Sequence, residues 1–311
     1  MLVVAVAGGT GDVGQTIVDE LLRVAKFRIV VLTRENPESQ KRQAQHGTVP
    51  VTINYNDSDS ISRRLEENAV HTIISTLPMT SEECSQSQVN LIRAADKSTC
   101  TKRFIPSEYA HINTPELLEI DPTTQWWLDA VECLKKSDLQ YTRFATGFFM
   151  DYWGMPYVET HLAPFTFGID MGNCQAAIPG DGNDHLSLTY SKDLAKFVVR
   201  TLDLDEWPDL SIGVGDDITF NEMLRLAEEA RGKKFQVTYD RVDSLNEGKA
   251  TMLPIPEGAP FSADEMTEYN ALFGQFTVRG IFHVPTENRL KFPDLKPLTF
   301  KEFLSKTWGG H

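Results

Sequence analysis

The chain alternates between short apolar runs and stretches in which apolar residues recur at helical spacing. Leu2–Ala7 is an unbroken apolar run, which suits a strand covered on both faces of a parallel sheet better than a half-exposed strand. Strands are predicted at Leu2–Ala7, Phe27–Thr33, Val49–Tyr55, Val70–Leu77, Arg103–Pro106 and Tyr141–Ala145. Helical patterns follow several of them, as at Ile61–Asn68. The alternation predicts an α/β fold with a Rossmann-type, doubly wound parallel sheet.

A glycine-rich turn follows the first predicted strand. In such a turn, Gly8 can make the tight bend, Gly11 can let the backbone approach a pyrophosphate, and Gly14 can let the next helix pack closely. The backbone amides at the start of that helix would face the phosphates, because the helix dipole favours an anion there. A structural loop is the alternative. The predicted dinucleotide contacts are Gly8, Thr10, Gly11, Asp12, Val13 and Gly14.

Residues at the end of the second predicted strand distinguish NADP from NAD as the cofactor. Arg34 follows this strand directly and suits a bidentate grip on a 2′-phosphate, and Lys41 can add positive charge. This favours NADPH or NADP over NAD. In the alternative, Arg34 is a solvated loop cation and Glu35 binds the ribose. Thr76 and Leu77, at the end of the fourth predicted strand, are expected to meet the cofactor from the opposite side of the crevice.

Composition narrows the possible partners. A net charge of −14 at pH 7 disfavours nucleic acid and anionic membrane surfaces, because electrostatic repulsion opposes both. No apolar run approaches the roughly 18 residues of a membrane span, and no secretion signal precedes the first strand, so a cytoplasmic protein is expected. The cysteines are scattered without metal-binding spacing, at Cys84, Cys100, Cys133 and Cys174. Free thiols and no metal site are therefore predicted.

Two further segments resemble a known family. QVNLIRAA at Gln88–Ala95 and KRFIPSEYA at Lys102–Ala110, together with GGTGDVG and LTRE, resemble the isoflavone reductase and phenylcoumaran benzylic ether reductase branch of the NmrA-like family. These proteins are atypical short-chain dehydrogenase/reductases. The resemblance implies an NADPH-binding Rossmann domain, a smaller substrate lobe, and a nicotinamide beside the strand that ends in PSEY. It places Ser107 and Glu108 at the cofactor and Tyr109 in the cleft.

The segment LQYTRFATGFFMDY resembles the family's sixth strand and its exit loop. The resemblance implies that Gly147 and Phe148 cover the nicotinamide and that Phe149 and Tyr152 begin the substrate pocket. Met171 belongs to a following glycine-rich stretch that we expect to form a pocket wall around a hairpin turn at IPGDGNDH. An aromatic cluster joining two lobes is the alternative for these rings, and an inert surface loop is the alternative for the stretch.

The chain departs from the family at its catalytic lysine. In the family, this lysine lies on the helix before the sixth strand and polarises or deprotonates the substrate. An ungapped count back from that strand places Trp127 at the position of the lysine, within the predicted substrate pocket. An indole cannot exchange a proton with the substrate. Lys135 and Lys136 lie about two turns further on, at the end of the helix, where they suit the helix dipole. The remaining candidates for proton transfer are Tyr109, His111, Glu108 and Asp151. We predict Tyr109, because its hydroxyl lies at the appropriate element.

The sequence therefore predicts a cofactor domain over residues 1–151, with return segments near 189–215, and a C-terminal α+β substrate lobe over 152–311. The leading functional hypothesis is an NADPH-dependent reductase of a small aromatic or polyketide-like metabolite, acting as a monomer or homodimer. The missing lysine leaves two alternatives open. One is a redox-neutral isomerase, cyclase or dehydratase on the same fold, and the other is a non-catalytic NADP(H) sensor.

Overall fold

A computed structural model describes residues 1–286, 289, 292 and 294–311. Its strands are β1 Val3–Ala7, β2 Arg28–Thr33, β3 Val49–Thr52, β4 Thr72–Ser75, β5 Arg103–Ile105, β6 Gln140–Tyr141, β7 Arg143–Ala145, β8 Phe148–Phe149, β9 Ile169–Asp170, β10 Gln175–Pro179, β11 His185–Thr189, β12 Leu210–Ile212, β13 Asp216–Thr219 and β14 Gln236–Asp240. Its α-helices are α1 Asp12–Val24, α2 Pro37–Gln45, α3 Ser58–Glu67, α4 Glu82–Lys97, α5 Gln125–Lys135, α6 Asp151–Gly154, α7 Ser191–Thr201, α8 Phe220–Arg231, α9 Val242–Asn246, α10 Ala263–Val278 and α11 Phe300–Thr307.

The chain divides into two compact units. The first unit comprises residues 1–109, 113–144 and 195–211, and the second comprises residues 110–112, 145–194 and 212–311. The sequence prediction drew the boundary after residue 151. In the structure, residues 145–151 belong to the second unit, because β8 pairs with β11 of that unit.

The first unit is built on a parallel sheet with the strand order β3-β2-β1-β4-β5-β6. The strand order reverses between β1 and β4, which is the topological switch point where open α/β sheets bind ligands. All residues of β1 are buried, as its unbroken apolar run predicts. The predicted α/β fold with a Rossmann-type parallel sheet is confirmed.

The predicted sixth strand, Tyr141–Ala145, is divided in the structure. Only β6 joins the parallel sheet, where Tyr141 pairs with Phe104. β7 pairs with β12 instead, next to a hydrogen bond of 2.8 Å between Thr142 Oγ1 and Ser211 Oγ. The local apolar pattern predicts extended backbone but does not indicate this change of partner.

The second unit contains two small sheets among its described residues, with the orders β14-β10-β9 and β13-β11-β8. The predicted hairpin at IPGDGNDH is wrong. A turn does lie there, but β10 pairs with β9 and β14, whereas β11 pairs with β8 and β13. Across the described residues of both units, no helix is long and apolar enough to cross a bilayer.

Candidate functional site

Of the three spaced glycines in the turn between β1 and α1, one has room for a Cβ atom and two do not. A Cβ on Gly8, whose φ is +79°, would lie 2.5 Å from the carbonyl oxygen of Thr76. A Cβ on Gly14 would lie 2.2 Å from the carbonyl oxygen of Gly8. A Cβ on Gly11 would meet no heavy atom within 4 Å. Packing thus requires glycine at the two outer positions, whereas the middle glycine leaves an open cradle that a side chain would fill.

The cradle lies at the N-terminus of α1. Gly11 is the N-cap residue and supplies no side-chain hydrogen bond to the first turn. The positive end of the helix dipole is therefore not offset by a side-chain cap, and such a terminus favours an anion. Thr10 and Asp12 are exposed beside it, Val13 is half-buried and Gly14 is buried against the sheet.

Hydrogen bonds bring the carboxyl ends of β1, β4 and β5 together. The Thr76 hydroxyl donates to the carbonyl of Ala7 at 2.7 Å. The Ser107 hydroxyl donates to the carbonyl of Leu77 at 2.9 Å, and its amide donates to Gln88 Oε1 at 2.8 Å. Thr76, Leu77 and Ser107 therefore lie along the same sheet edge, next to the glycine turn.

The end of β2 presents positive charge and buried hydroxyls. Arg34 and Lys41 are exposed, and neither forms an ion pair within the described part of the chain. Thr33 Oγ1 and the Tyr55 hydroxyl are buried without a hydrogen-bond partner among the described residues. Burial raises the pKa of the Tyr55 phenol, and the positive charge of Arg34 partly offsets that rise. The guanidinium of Arg34 therefore lies within electrostatic range of the Tyr55 phenol, whose hydroxyl has no hydrogen-bond partner among the described residues.

Sequence reasoning singled out neither Thr33 nor Tyr55. Each is the last residue of a predicted apolar strand, Phe27–Thr33 and Val49–Tyr55. A residue with a side-chain hydroxyl at the end of such a strand is a candidate ligand contact, because ligands of open α/β sheets bind beyond the carboxyl ends of the strands.

Tyr109 lies at the same edge as the end of β4. Its hydroxyl donates to the carbonyl of Ser75 at 3.0 Å. Burial raises the pKa of Tyr109, so the phenol stays protonated throughout the neutral range. The hydroxyl of Ser75 is buried without a partner among the described residues.

Glu108 forms a buried ion pair. Its carboxylate accepts hydrogen bonds from Arg143 Nε at 2.6 Å and Nη2 at 2.5 Å, and from Asn113 Nδ2 at 2.9 Å. The side chains of Glu108 and Arg143 are 3% and 15% exposed. Burial alone would lower the pKa of Arg143, but the paired carboxylate holds it above its ordinary value. The carboxylate oxygens are engaged by the first unit itself, so the predicted cofactor contact of Glu108 stays a prediction.

Trp127 lies in the first turn of α5, where it is half-buried beside Trp126 at a ring-centroid distance of 6.3 Å. At the other end of the helix, Lys136 pairs with Glu132 on the exposed surface. The contacts of Lys136 are therefore those of a surface cation near a helix C-terminus.

The other predicted site residues lie in the second unit. Gly147 has a φ of +68°, and a Cβ there would lie 2.0 Å from the carbonyl of Ser187. Phe149 and Met171 are buried, and Tyr152 is half-buried. Phe148 lies 5.2 to 6.4 Å from the rings of Tyr152, Trp153, Phe165, Phe167, Phe273 and Phe282. Phe148 is therefore the centre of an aromatic core cluster in this unit.

Two further candidates for proton transfer have structural surroundings in the second unit. Asp151 is fully buried and accepts hydrogen bonds from the Ser191 amide at 2.9 Å and the Thr160 hydroxyl at 2.6 Å. Burial raises the pKa of Asp151. His111 packs edge-on against Phe276 at 4.9 Å. These contacts explain both side chains as parts of the unit's packing.

Comparisons with known proteins agree over nearly the whole chain. A model of the NmrA-like family matches residues 2–304. Oxidoreductase BOA1 of Botryotinia fuckeliana is 38% identical, with 76% of this chain and 78% of the relative covered. Oxidoreductase swnN of Metarhizium robertsii is 32% identical, with 82% and 81% covered. The fold is also similar to that of a leucoanthocyanidin reductase–NADPH complex from Vitis vinifera, with a TM-score of 0.74, 18% identity and 99% of each chain covered.

Proposed function

This chain belongs to the NmrA-like family, and from that premise we propose that it is an NADPH-dependent reductase of a small aromatic or polyketide-like metabolite. The observation that carries the proposal is the open cradle at Gly11, directly before the uncapped start of α1. The relatives BOA1 and swnN, both named oxidoreductases, support the reaction class. A solved structure of AtPrR2 with NADP+ and (+)pinoresinol, similar in fold with a TM-score of 0.73 and 18% identity, supports the cofactor and an aromatic substrate.

The residues of the first unit suit the parts of such a nucleotide. The Gly11 cradle and the first turn of α1 would hold the pyrophosphate, because the N-terminal amides of a helix without a side-chain cap favour an anion. Arg34 would bind the 2′-phosphate, with the Tyr55 hydroxyl as a further donor. When bound, NADPH supplies a hydride. The protein would supply orientation and the electrostatics around the acceptor.

The proposal is tested by following nicotinamide absorbance in the presence of a panel of aromatic carbonyl compounds, enones and benzylic ethers. We expect NADPH oxidation to match product formation one to one for at least one of these classes. Product formed with unchanged nicotinamide absorbance would instead indicate a redox-neutral reaction. Absence of NADPH binding in a direct titration would contradict the proposal as a whole.

Replacing Arg34 with alanine is expected to raise the KM for NADPH by about 10- to 100-fold, which matches the roughly 1.5–3 kcal/mol of a charge-assisted hydrogen bond. The KM for NADH should change by less than about threefold, because NADH has no 2′-phosphate for this guanidinium to bind. Steady-state kinetics with both nucleotides provides the measurement.

Arg63→Ala is the matched control for Arg34→Ala, since Arg63 is also an exposed arginine of the first unit and lies in α3. This control should leave both constants near the wild-type values. Equal increases for NADPH and NADH in Arg34→Ala would refute the assignment of the 2′-phosphate to Arg34.

We further propose Tyr109 as the proton donor, because its hydroxyl lies at the end of β4 and a phenol carries its proton at neutral pH. Tyr109→Phe should lower kcat by about 10²- to 10⁴-fold, the usual contribution of general acid catalysis. NADPH affinity should hardly change. In the wild type, kcat should show no alkaline loss near pH 10, the ordinary pKa of a tyrosine.

The Tyr109→Phe variant also loses a hydrogen bond to Ser75, which is worth about 1 kcal/mol. Its unfolding midpoint should therefore be measured alongside its rate. A stable variant whose kcat stays within about threefold of the wild type would exclude Tyr109 as the acid, because general acid catalysis contributes far more than that.

A further inference from the structure

Two histidines and an aspartate converge in the second unit. The Nδ1 atom of His185 lies 2.5 Å from Asp217 Oδ1, and the Nδ1 atom of His283 lies 2.9 Å from Asp217 Oδ2. The three potential ligand atoms all lie within 4.8 Å of one another. None of these residues belongs to the proposed nucleotide site, so their arrangement calls for a separate explanation.

The backbone places these side chains on one face. His185 and Ser187 are two residues apart on β11 and therefore point to the same side of the sheet. Ser187 pairs directly with Asp217 of β13. On the other side of β11, the Ser187 amide donates to the carbonyl of Phe282 at 3.0 Å, and the Val284 amide donates to the Ser187 hydroxyl at 2.9 Å. Three neighbouring segments of chain thus contribute one potential ligand each.

We propose that His185, Asp217 and His283 form a zinc site. Two imidazole nitrogens and one carboxylate oxygen are a ligand set that Zn²⁺ accepts, with water completing a tetrahedral coordination. The imidazole ligands favour a transition metal over Mg²⁺ or Ca²⁺, which prefer oxygen ligands alone.

The geometry requires only a small adjustment. Zn–N and Zn–O bonds of about 2.0–2.2 Å place tetrahedral ligand atoms roughly 3.3–3.5 Å apart. The two Nδ1–oxygen separations must therefore open by about 0.4–1.0 Å, a change within reach of side-chain rotation. His185 and His283 are 51% and 52% exposed, so both rings have room for that movement.

The proton balance of binding is simple. In the metal-free cluster, each imidazole donates its Nδ1 proton to Asp217. When the ion binds, each ring gives its Nδ1 lone pair to Zn²⁺ and carries its proton on Nε2. A neutral ring thereby changes tautomer without net proton loss, and a protonated ring releases one proton to solvent.

The surroundings favour a cation. The Ser187 side chain is fully buried and donates to Asp217 Oδ2 at 2.5 Å, which fixes the orientation of the carboxylate. Such hydrogen bonds from neighbouring groups orient metal ligands in proteins. The carboxylates of Asp184 and Glu222 also lie within electrostatic range of His185. An ion here would connect the segment after α10 to β11 and β13, and would stabilise the folded arrangement of these three segments.

The first experiment uses the 311-residue chain without a tag, after treatment with EDTA and dialysis. Titration calorimetry with ZnCl₂ is expected to give one equivalent with a Kd of about 10 µM or lower. Saturating Zn²⁺ should raise the unfolding midpoint by about 2–6 °C, because the ion binds only the folded chain. MgCl₂ and CaCl₂ at the same concentrations should do neither.

His283→Gln and Asp217→Asn should each weaken zinc binding by at least about tenfold. The matched control is His46→Gln, because His46 forms an exposed pair with Asp19 at 2.9 Å in the first unit. That variant should bind zinc like the wild type. A His185→Gln/His283→Gln double variant that still binds one equivalent with unchanged affinity would overturn the proposal, as would a wild-type protein that binds none. The cluster would then be a hydrogen-bonded network only.

Discussion

Replacing Gly14 with alanine is expected to abolish NADPH binding and to lower the free energy of unfolding by about 1–3 kcal/mol, the usual cost of overpacking. The added methyl group would lie 2.2 Å from the carbonyl oxygen of Gly8 and 2.4 Å from Thr76 Oγ1. The first of these is a backbone atom of the turn itself, so the turn must shift to relieve the clash. Fluorescence titration with NADPH and urea denaturation measure the two effects.

Gly11→Ala separates nucleotide binding from folding. A methyl group there meets no heavy atom within 4 Å, and the backbone φ of −157° is open to any residue. The free energy of unfolding should therefore change by no more than about 0.5 kcal/mol. NADPH affinity should nevertheless fall at least about tenfold, because the methyl group would occupy the space in which we propose that the pyrophosphate approaches the backbone. Wild-type affinity in this variant would show that the cradle does not receive the phosphates.

Replacing Glu108 with alanine is expected to lower the free energy of unfolding by about 3–5 kcal/mol, since it leaves a buried charge without its partner. The guanidinium of Arg143 would lose its hydrogen bonds of 2.6 and 2.5 Å, and Asn113 would lose an acceptor at 2.9 Å. Urea denaturation followed by circular dichroism measures the change. A double variant, Glu108→Ala/Arg143→Met, should regain part of the lost free energy of unfolding, because the unpaired charge of Arg143 is then removed.

The chain offers a matched control for this ion pair. Glu132 and Lys136 are also 2.5 Å apart, but their side chains are 63% and 72% exposed. Glu132→Ala should therefore cost less than about 1 kcal/mol. If the two alanine variants were equally stable, burial would not be what distinguishes the pair formed by Glu108 and Arg143.

The strands of the parallel sheet and the glycine turn were predictable because their signals are local. An unbroken apolar run indicates a strand covered on both faces, and the spacing of Gly8, Gly11 and Gly14 indicates a close approach of backbone to backbone or to ligand. The split of Tyr141–Ala145 and the separate partner strands of β10 and β11, which flank IPGDGNDH, were not predictable in the same way. Strand propensity favours extended backbone but does not name the partner strand.

Sequence alone therefore determined the α/β fold, the position of the glycine turn and the family of the chain. Tertiary structure decided which polar groups meet. It joins Tyr109 to Ser75, pairs Glu108 with Arg143, and assembles His185, Asp217 and His283, although the sequence predicted no metal site. The physical reason is distance along the chain. Periodicity and turn chemistry act over a few residues, whereas these contacts join residues tens of positions apart and form only when the elements pack.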